Sequence, residues 1–516
     1  MSASREKKQR QSAGPDQKAL RAQQEQAARK RRTIVYSVVG ALSAILVAAL
    51  LVWRTGFFQS RASAAAVGGE TLTTAQLSYY YHTVRNDYLN SYYSSLLGFD
   101  NTKADDEQVY AEGQTYRDYF MAEALKDAQS CFALEREAVN AGHTEAEVKD
   151  DLDAAISSVK SSASSYGVSY SAYLRAMYGS YMSADVFERE LTRSLMANLV
   201  ANEKYDELFD SYGQSDLDAY YAEHKDDLDT IEYSYLYFAA PSVNTKDADG
   251  NELPEDEVQK LKDDAKAEAK KKAEEALEAV KGGSSFQIQA DKYELTSSGD
   301  HTKVVGTGSI NSAYSEQLLK LGKDQCELVE GDSGCYVISF HDRYLADEPT
   351  RDVRHILIRA EHTTGENNVL NAPTDEAWAA AKAKIDEVQA AWDASDKTED
   401  AFAKLANEKS DDGGSNTTGG LYERRYNGYF VPEFNDWLFD GSRRPGDVGM
   451  VQHSAEEGAT SGYYGYHLIY YVGENEPVWK GTVRNTLANE AETAWTDGLS
   501  ADYPTSQLGG AGYLGK

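Results

Sequence analysis

The sequence predicts an α+β protein: one N-terminal transmembrane helix, an all-α region, and two successive modules, each a small antiparallel sheet with flanking helices. Three observations predict it. Residues 33–53 are uncharged and apolar. Residues 66–228 carry helical periodicity and contain no proline. From Ile231 the period changes to two, and the order strand, helix, strands runs twice.

Residues 1–32 hold ten basic and three acidic side chains, ending Arg29-Lys30-Arg31-Arg32, and read as a basic cytoplasmic tail. Residues 33–53 follow as the anchor: at about 1.5 Å per residue the run matches a bilayer of ~30 Å. Basic residues precede the span, so the N-terminus is cytoplasmic and the bulk of the chain lies outside. Ala62-Ser63-Ala64 has the form of a cleavage site, but Arg54 and Arg61 separate it from the apolar run, so the anchor is read as uncleaved. No cysteine directly follows the run, which excludes a lipid anchor there. The whole chain carries 52 basic and 84 acidic side chains, a net charge of −32. With the tail at +7, the exported part is near −39, which excludes nucleic acid as a partner. Three cysteines exclude a disulfide-dense scaffold, and the nine histidines show no metal-ligand spacing, so neither metal nor cofactor is predicted.

Residues 66–228 open with a short strand and turn, AVGGETL, before Thr73 and Gln76 form a capping box. Thr144 with Glu147 makes a second box. The region is studded with tyrosine: Tyr79, Tyr80, Tyr81, Tyr88, Tyr92 and Tyr93, then Tyr170, Tyr173, Tyr178 and Tyr181. Such a stripe is either ordinary core or an amphipathic cradle for unfolded chains.

Residues 231–345 contain a β-branched and aromatic strand (IEYSYLYF), a Lys/Glu/Ala helix from Pro254 to about Lys281, and a terminal strand CYVISF. Residues 350–475 repeat the order: strand VRHILIRA, a helix capped by Thr374, a second helix through Phe402, PEFNDWLF, and a last strand GYHLIYYVG. The final strands align as Gly465-Tyr466-His467 over Gly334-Cys335-Tyr336, so the unit reads as duplicated. Residues 476–516 hold one amphipathic helix, Trp479 to Trp495, and a Gly-rich end expected to fray.

The second module carries His355-Ile-Leu-Ile, Phe402-x-x-Leu405-Ala406, Ser410-Asp411-Asp412, Gly419-Gly420-Leu421, Phe430-x-Pro-Glu-Phe434, Pro445-Gly446-Asp447 and Gly465-Tyr466-His467, in that order. It resembles the parvulin family of peptidyl-prolyl cis/trans isomerases, and the layout over about residues 66–500 is similar to exported foldases of the SurA/PrsA type. The resemblance implies a chaperone-like role for the helical region and a shallow proline pocket in the second module. It implies that His355 and His467 are paired beneath that pocket with Asp412 beside them as the catalytic set. It implies that Leu421, Phe430 and Phe434 line the proline ring and that Tyr464 sits near the histidines. Phe430 stands where the family usually has Met, and Gly-Gly-Leu replaces Gly-Gly-Asp-Leu. Arg359 beside Glu361 is a poor phosphate site, so phosphate-directed specificity is not expected.

The first module lacks the histidines. Tyr336 stands at the position of His467, and the position of His355 falls at or near Ser234, so residues 231–345 read as a degenerate copy. Cys326 and Cys335 flank a hairpin centred on Gly331, and the sequence leaves open whether they pair. The expected function is a membrane-anchored, extracytoplasmic isomerase and chaperone acting on newly exported chains that contain X–Pro bonds. The alternative is a non-catalytic holdase or assembly scaffold with inert modules.

Overall fold

The computed structural model describes residues 37–39, 41–47, 53–91, 98–247 and 249–516. The basic tail, Tyr92 and Tyr93 lie outside the described residues, as does much of the predicted anchor. Among the described residues no helix is long and apolar enough to cross a membrane. The described residues form two compact units, those up to 208 with 488–516, and those within 209–487.

In the first unit, strand Ser63–Val67 is the centre of a three-stranded antiparallel sheet, with Glu70–Thr73 on one edge and Thr505–Gln507 on the other. Thr73 and Gln76 close the expected capping box and start helix Thr74–Asn90. Long helices Tyr116–Ala141, Lys149–Ser165 and Ala184–Ser211 follow. Tyr79, Tyr80 and Tyr81 are buried. Their polar ends are satisfied inside: Tyr80 donates to Glu190 and Tyr81 to Asp105. This part of the tyrosine stripe is therefore core, chosen where an aromatic body must meet a buried carboxylate.

The Gly-rich end does not fray. Thr505–Gln507 pairs with the central strand, and Arg117 donates to the carbonyls of Ala511 and Leu514. Gly510 packs so tightly that a Cβ would lie 2.6 Å from Thr74 Oγ1 and 2.8 Å from the Ser63 carbonyl. Composition suggested a loose tail; a pairing partner more than 400 residues away orders it.

The second unit holds both modules. The first comprises β1 (Thr230–Ala239), α1 (Glu255–Lys281), β2 (Ser298–Val305), β3 (Cys326–Glu330) and β4 (Gly334–Tyr344). The second comprises β5 (Pro349–Arg359), α2 (Asp375–Ala394), α3 (Glu399–Lys409), β6 (Leu421–Arg425), α4 (Pro432–Leu438), β7 (Val448–His453) and β8 (Gly465–Pro477). Both sheets are four-stranded and antiparallel with the same topology, β2-β1-β4-β3 and β6-β5-β8-β7. The order follows the predicted duplication strand for strand.

Alternation along β5 and β8 divides the second module into two faces. Ile356, Ile358 and Leu468 pack with Ile385, Val388 and Phe402 on the side of α2 and α3. Val353, Ile469 and Tyr471 pack with Phe434 and Leu438 of α4 on the other side. His355 and His467 share the parity of this second face.

The cysteine question closes. Cys335 lies opposite Glu330, and Cys326 lies opposite Ser339, four residues further along the ladder. At about 3.4 Å per residue that offset is far beyond disulfide reach, and all three cysteines are free.

Candidate active site

The two central strands bring the histidines together. In the β5–β8 ladder His355 lies opposite Ile469 and Leu357 opposite His467, so the imidazoles are diagonal neighbours on one face. Their rings stack at 5.2 Å between centroids, with Nδ1 to Nδ1 at 3.1 Å. Both residues are buried.

The loop between α3 and β6 supplies Asp412. Its Oδ2 lies 2.9 Å from His355 Nε2 and accepts from the hydroxyls of Ser415 at 2.5 Å and Tyr422 at 2.9 Å. Arg354 holds this loop, donating to the carbonyls of Thr418 and Gly419 while its Nε binds Glu399 on α3. The loop then presses against the strand at Gly420 (φ +70°), where a Cβ would lie 2.2 Å from the His355 carbonyl. Only glycine fits there. At the far end Tyr463 Oη lies 3.0 Å from His467 Nε2.

One proton arrangement satisfies the whole chain with both imidazoles neutral. Tyr463 donates to His467 Nε2, His467 Nδ1–H donates to His355 Nδ1, and His355 Nε2–H donates to the Asp412 carboxylate. For His467 the electrostatics agree. Burial, and then the neighbouring His355, push His467 down to about 3. The hydrogen bond from His355, helped by that from Ser415, holds Asp412 well below the usual carboxylate range. Burial pushes the Tyr422 and Tyr463 phenols up to about 12.

Above the pair sits an apolar wall. Phe434 is fully buried and meets both imidazoles edge-on, at 5.5 Å from His355 and 5.2 Å from His467. Phe430 stacks on Phe434 at 4.1 Å.

Two expected pocket residues lie elsewhere. Leu421 is opposite Arg354, so it shares the face of α3, whereas Tyr422, opposite Val353, faces the histidines. Tyr464 is buried in the core beside α2, near Trp378, and its neighbour Tyr463 makes the contact with His467. Each error is one residue, because alternation sends adjacent side chains to opposite faces. Ser415 was missed outright; its only signal was its place three residues after Asp412, where a turn returns a hydroxyl to the carboxylate.

The first module shows what replaced the site. Gly334 lies opposite Ala239 as Gly465 lies opposite Arg359. Counting back four residues along each first strand sets Tyr235, not Ser234, at the position of His355. Ser234 faces the other side, buried, with its hydroxyl donating to Asp300. Tyr336 holds the place of His467, and Tyr314, four residues before buried Leu318, holds that of Phe434, four before Leu438. Tyrosine rings fill the cleft: Tyr314 and Tyr336 are 5.1 Å apart, and Tyr237 stacks on Tyr336 at 4.6 Å.

Two buried, hydrogen-bonded histidines linked to a carboxylate beneath an aromatic wall on a four-stranded antiparallel sheet match the arrangement that the parvulin resemblance implies. Residues 252–344 and 346–471 match the family model of the PPIC-type PPIase domain, so each module matches the parvulin-type domain. Among solved structures, the chain is similar to the peptidylprolyl isomerase PrsA of Bacillus anthracis, at 12% identity over 42% of this chain and 78% of that one, with a TM-score of 0.19. It is also similar to the foldase protein PrsA of Streptococcus pneumoniae, at 8% identity over 77% of this chain and 91% of that one, with a TM-score of 0.20. None of the curated proteins compared matches the sequence.

The burial of His467 sets a pH dependence. An unfolded histidine titrates near 6.5 and the folded one near 3, so between these values only the unfolded chain binds the proton. Stability of the module is full above pH 6.5 and falls as pH drops toward 3, by about 1.4 kcal/mol per pH unit from this residue. Hydrogen exchange of the β8 amides between pH 6.5 and 4.5 is expected to show that slope, and His467→Gln is expected to flatten it.

Proposed function

We propose that this isomerase is a membrane-anchored foldase working outside the cytoplasm. The module 350–475 rotates X–Pro bonds of newly exported polypeptides, and the helical region 66–228 holds those chains. The observation that carries the catalytic reading is the Asp412–His355–His467–Tyr463 network beneath Phe430 and Phe434, with the histidines replaced by tyrosines in the first module. The anchor reading is supported by the uncharged stretch 33–53 behind four consecutive basic residues, and by the exposure of its described apolar side chains, such as Leu42 and Ile45. Chain holding is supported by a groove in the first unit where Tyr88, Tyr110 and Tyr119 meet Asp87, Glu123 and Asp127.

The chemistry suits the geometry. Rotation about an X–Pro bond crosses a barrier of about 18–20 kcal/mol, because resonance places partial charges on the planar amide. A water-poor aromatic pocket disfavours that charge-separated planar form relative to the twisted one. The histidines are buried and internally hydrogen-bonded, so they give the pocket a polar floor that does not reorganise during rotation. No bond is made or broken, so Asp412 acts as the ionised end that orients His355, not as a nucleophile.

The full chain, assayed by exchange spectroscopy on an Ala-Xaa-Pro peptide, is expected to accelerate cis/trans interconversion. A rate equal to buffer would leave the holdase alternative standing.

A further inference from the structure

An aromatic strip runs outward from the histidine pair. Phe434 touches both imidazoles, and Phe430 stacks on Phe434. Tyr429 then meets Phe430 edge-on at 4.9 Å, and Tyr426 meets Tyr429 edge-on at 5.7 Å. The inner ring is fully buried, whereas Tyr429 is 41% exposed and Tyr426 51% exposed.

The outer rings are held in place. Gly428, at φ +98°, donates its N–H to Asn435 Oδ1 at 2.6 Å, and Asn435 Nδ2 donates to Asn427 Oδ1 at 2.8 Å. The loop is thereby pinned to α4, the helix that carries Phe434. The Arg425 guanidinium lies 4.5 Å from the centre of the Tyr429 ring and 5.2 Å from that of Tyr422.

The first module provides a control. The corresponding stretch before Tyr314 is Gly-Thr-Gly-Ser-Ile-Asn-Ser-Ala (306–313), and its one large apolar side chain, Ile310, is buried. The exposed aromatic loop thus occurs in the module that keeps the histidines and is missing from the one that lost them. Core packing does not require it, since the equivalent small loop supports the same sheet.

We infer that Tyr429 and Tyr426 form a subsite, continuous with the proline pocket, for an aromatic or large aliphatic side chain one or two residues from the substrate proline. An extended peptide advances about 3.3 Å per residue, so one ring spacing along the strip matches one to two residues. Pre-positioned tyrosines contribute contact area at low ordering cost, and their hydroxyls tolerate water when the subsite is empty. The inference names the substrate class of the isomerase site and so rests on the proposed function.

The test uses the full chain and proline peptides with Phe, Leu, Ala or Glu placed one or two residues before or after the proline. Exchange spectroscopy gives kcat/KM, and the circular dichroism of each variant checks its fold. The expected result is about a tenfold higher kcat/KM for Phe than for Ala at one of these positions. In Tyr426→Ala and Tyr429→Ala that Phe/Ala ratio is expected to collapse toward one. Turnover with equal kcat/KM for all flanking residues overturns the subsite and leaves the isomerase reading intact, as does a ratio unchanged in both variants. No turnover of any peptide overturns both.

Discussion

His355→Ala is expected to lower kcat/KM for a proline peptide about 100-fold, the scale of losing one preorganised polar group at a reacting centre. His355 is the middle of the network. Its removal takes the donor from Asp412 and the acceptor from His467 Nδ1–H, and opens a void under Phe434. Asp412 keeps the hydroxyls of Ser415 and Tyr422, so the loop survives. His467→Ala acts from the other side, leaving Tyr463 without its acceptor. Because the residues work as a unit, the double variant is expected to be no slower than the worse single one. Rates within about threefold of wild type in both single variants would show that the histidines only fill space.

The second large effect is structural. Arg193→Ala is expected to cost about 3–5 kcal/mol of stability in the helical unit. Glu190 is completely buried and accepts from Gln76, Tyr80 and Arg193. Arg193 also binds Glu135 and lies 3.9 Å over the Phe132 ring. Without the guanidinium, a buried carboxylate remains with only two neutral donors. Urea unfolding, read by hydrogen exchange in helix Ala184–Ser211, measures the loss. Glu190→Gln added to Arg193→Ala is expected to recover part of it, because the stranded charge is then gone. No recovery would assign the loss to packing on Phe132 instead.

Much of the second unit was legible because its elements are short and strongly patterned. The strand at His355, the Thr374 cap, the helix through Phe402 and the strand at His467 each carry their own periodicity and turn chemistry. Duplication was legible for the same reason: two runs of one pattern yield two sheets of one topology. His355, His467 and Asp412 were found through motif order, and the fold does converge them.

For the second unit the sequence by itself therefore determined the main elements, their order, and the chemical types available for a site. Only the tertiary structure decided which side chain of each adjacent pair enters that site. Tyr463 rather than Tyr464, Tyr422 rather than Leu421, and Tyr235 rather than Ser234 depend on strand register. Register is set by pairing between strands more than a hundred residues apart and by bulges such as that between Tyr471 and Gly473. The ordered C-terminal end has the same cause. Nothing local to Thr505–Gln507 makes it a strand; the exposed edge of Ser63–Val67 does.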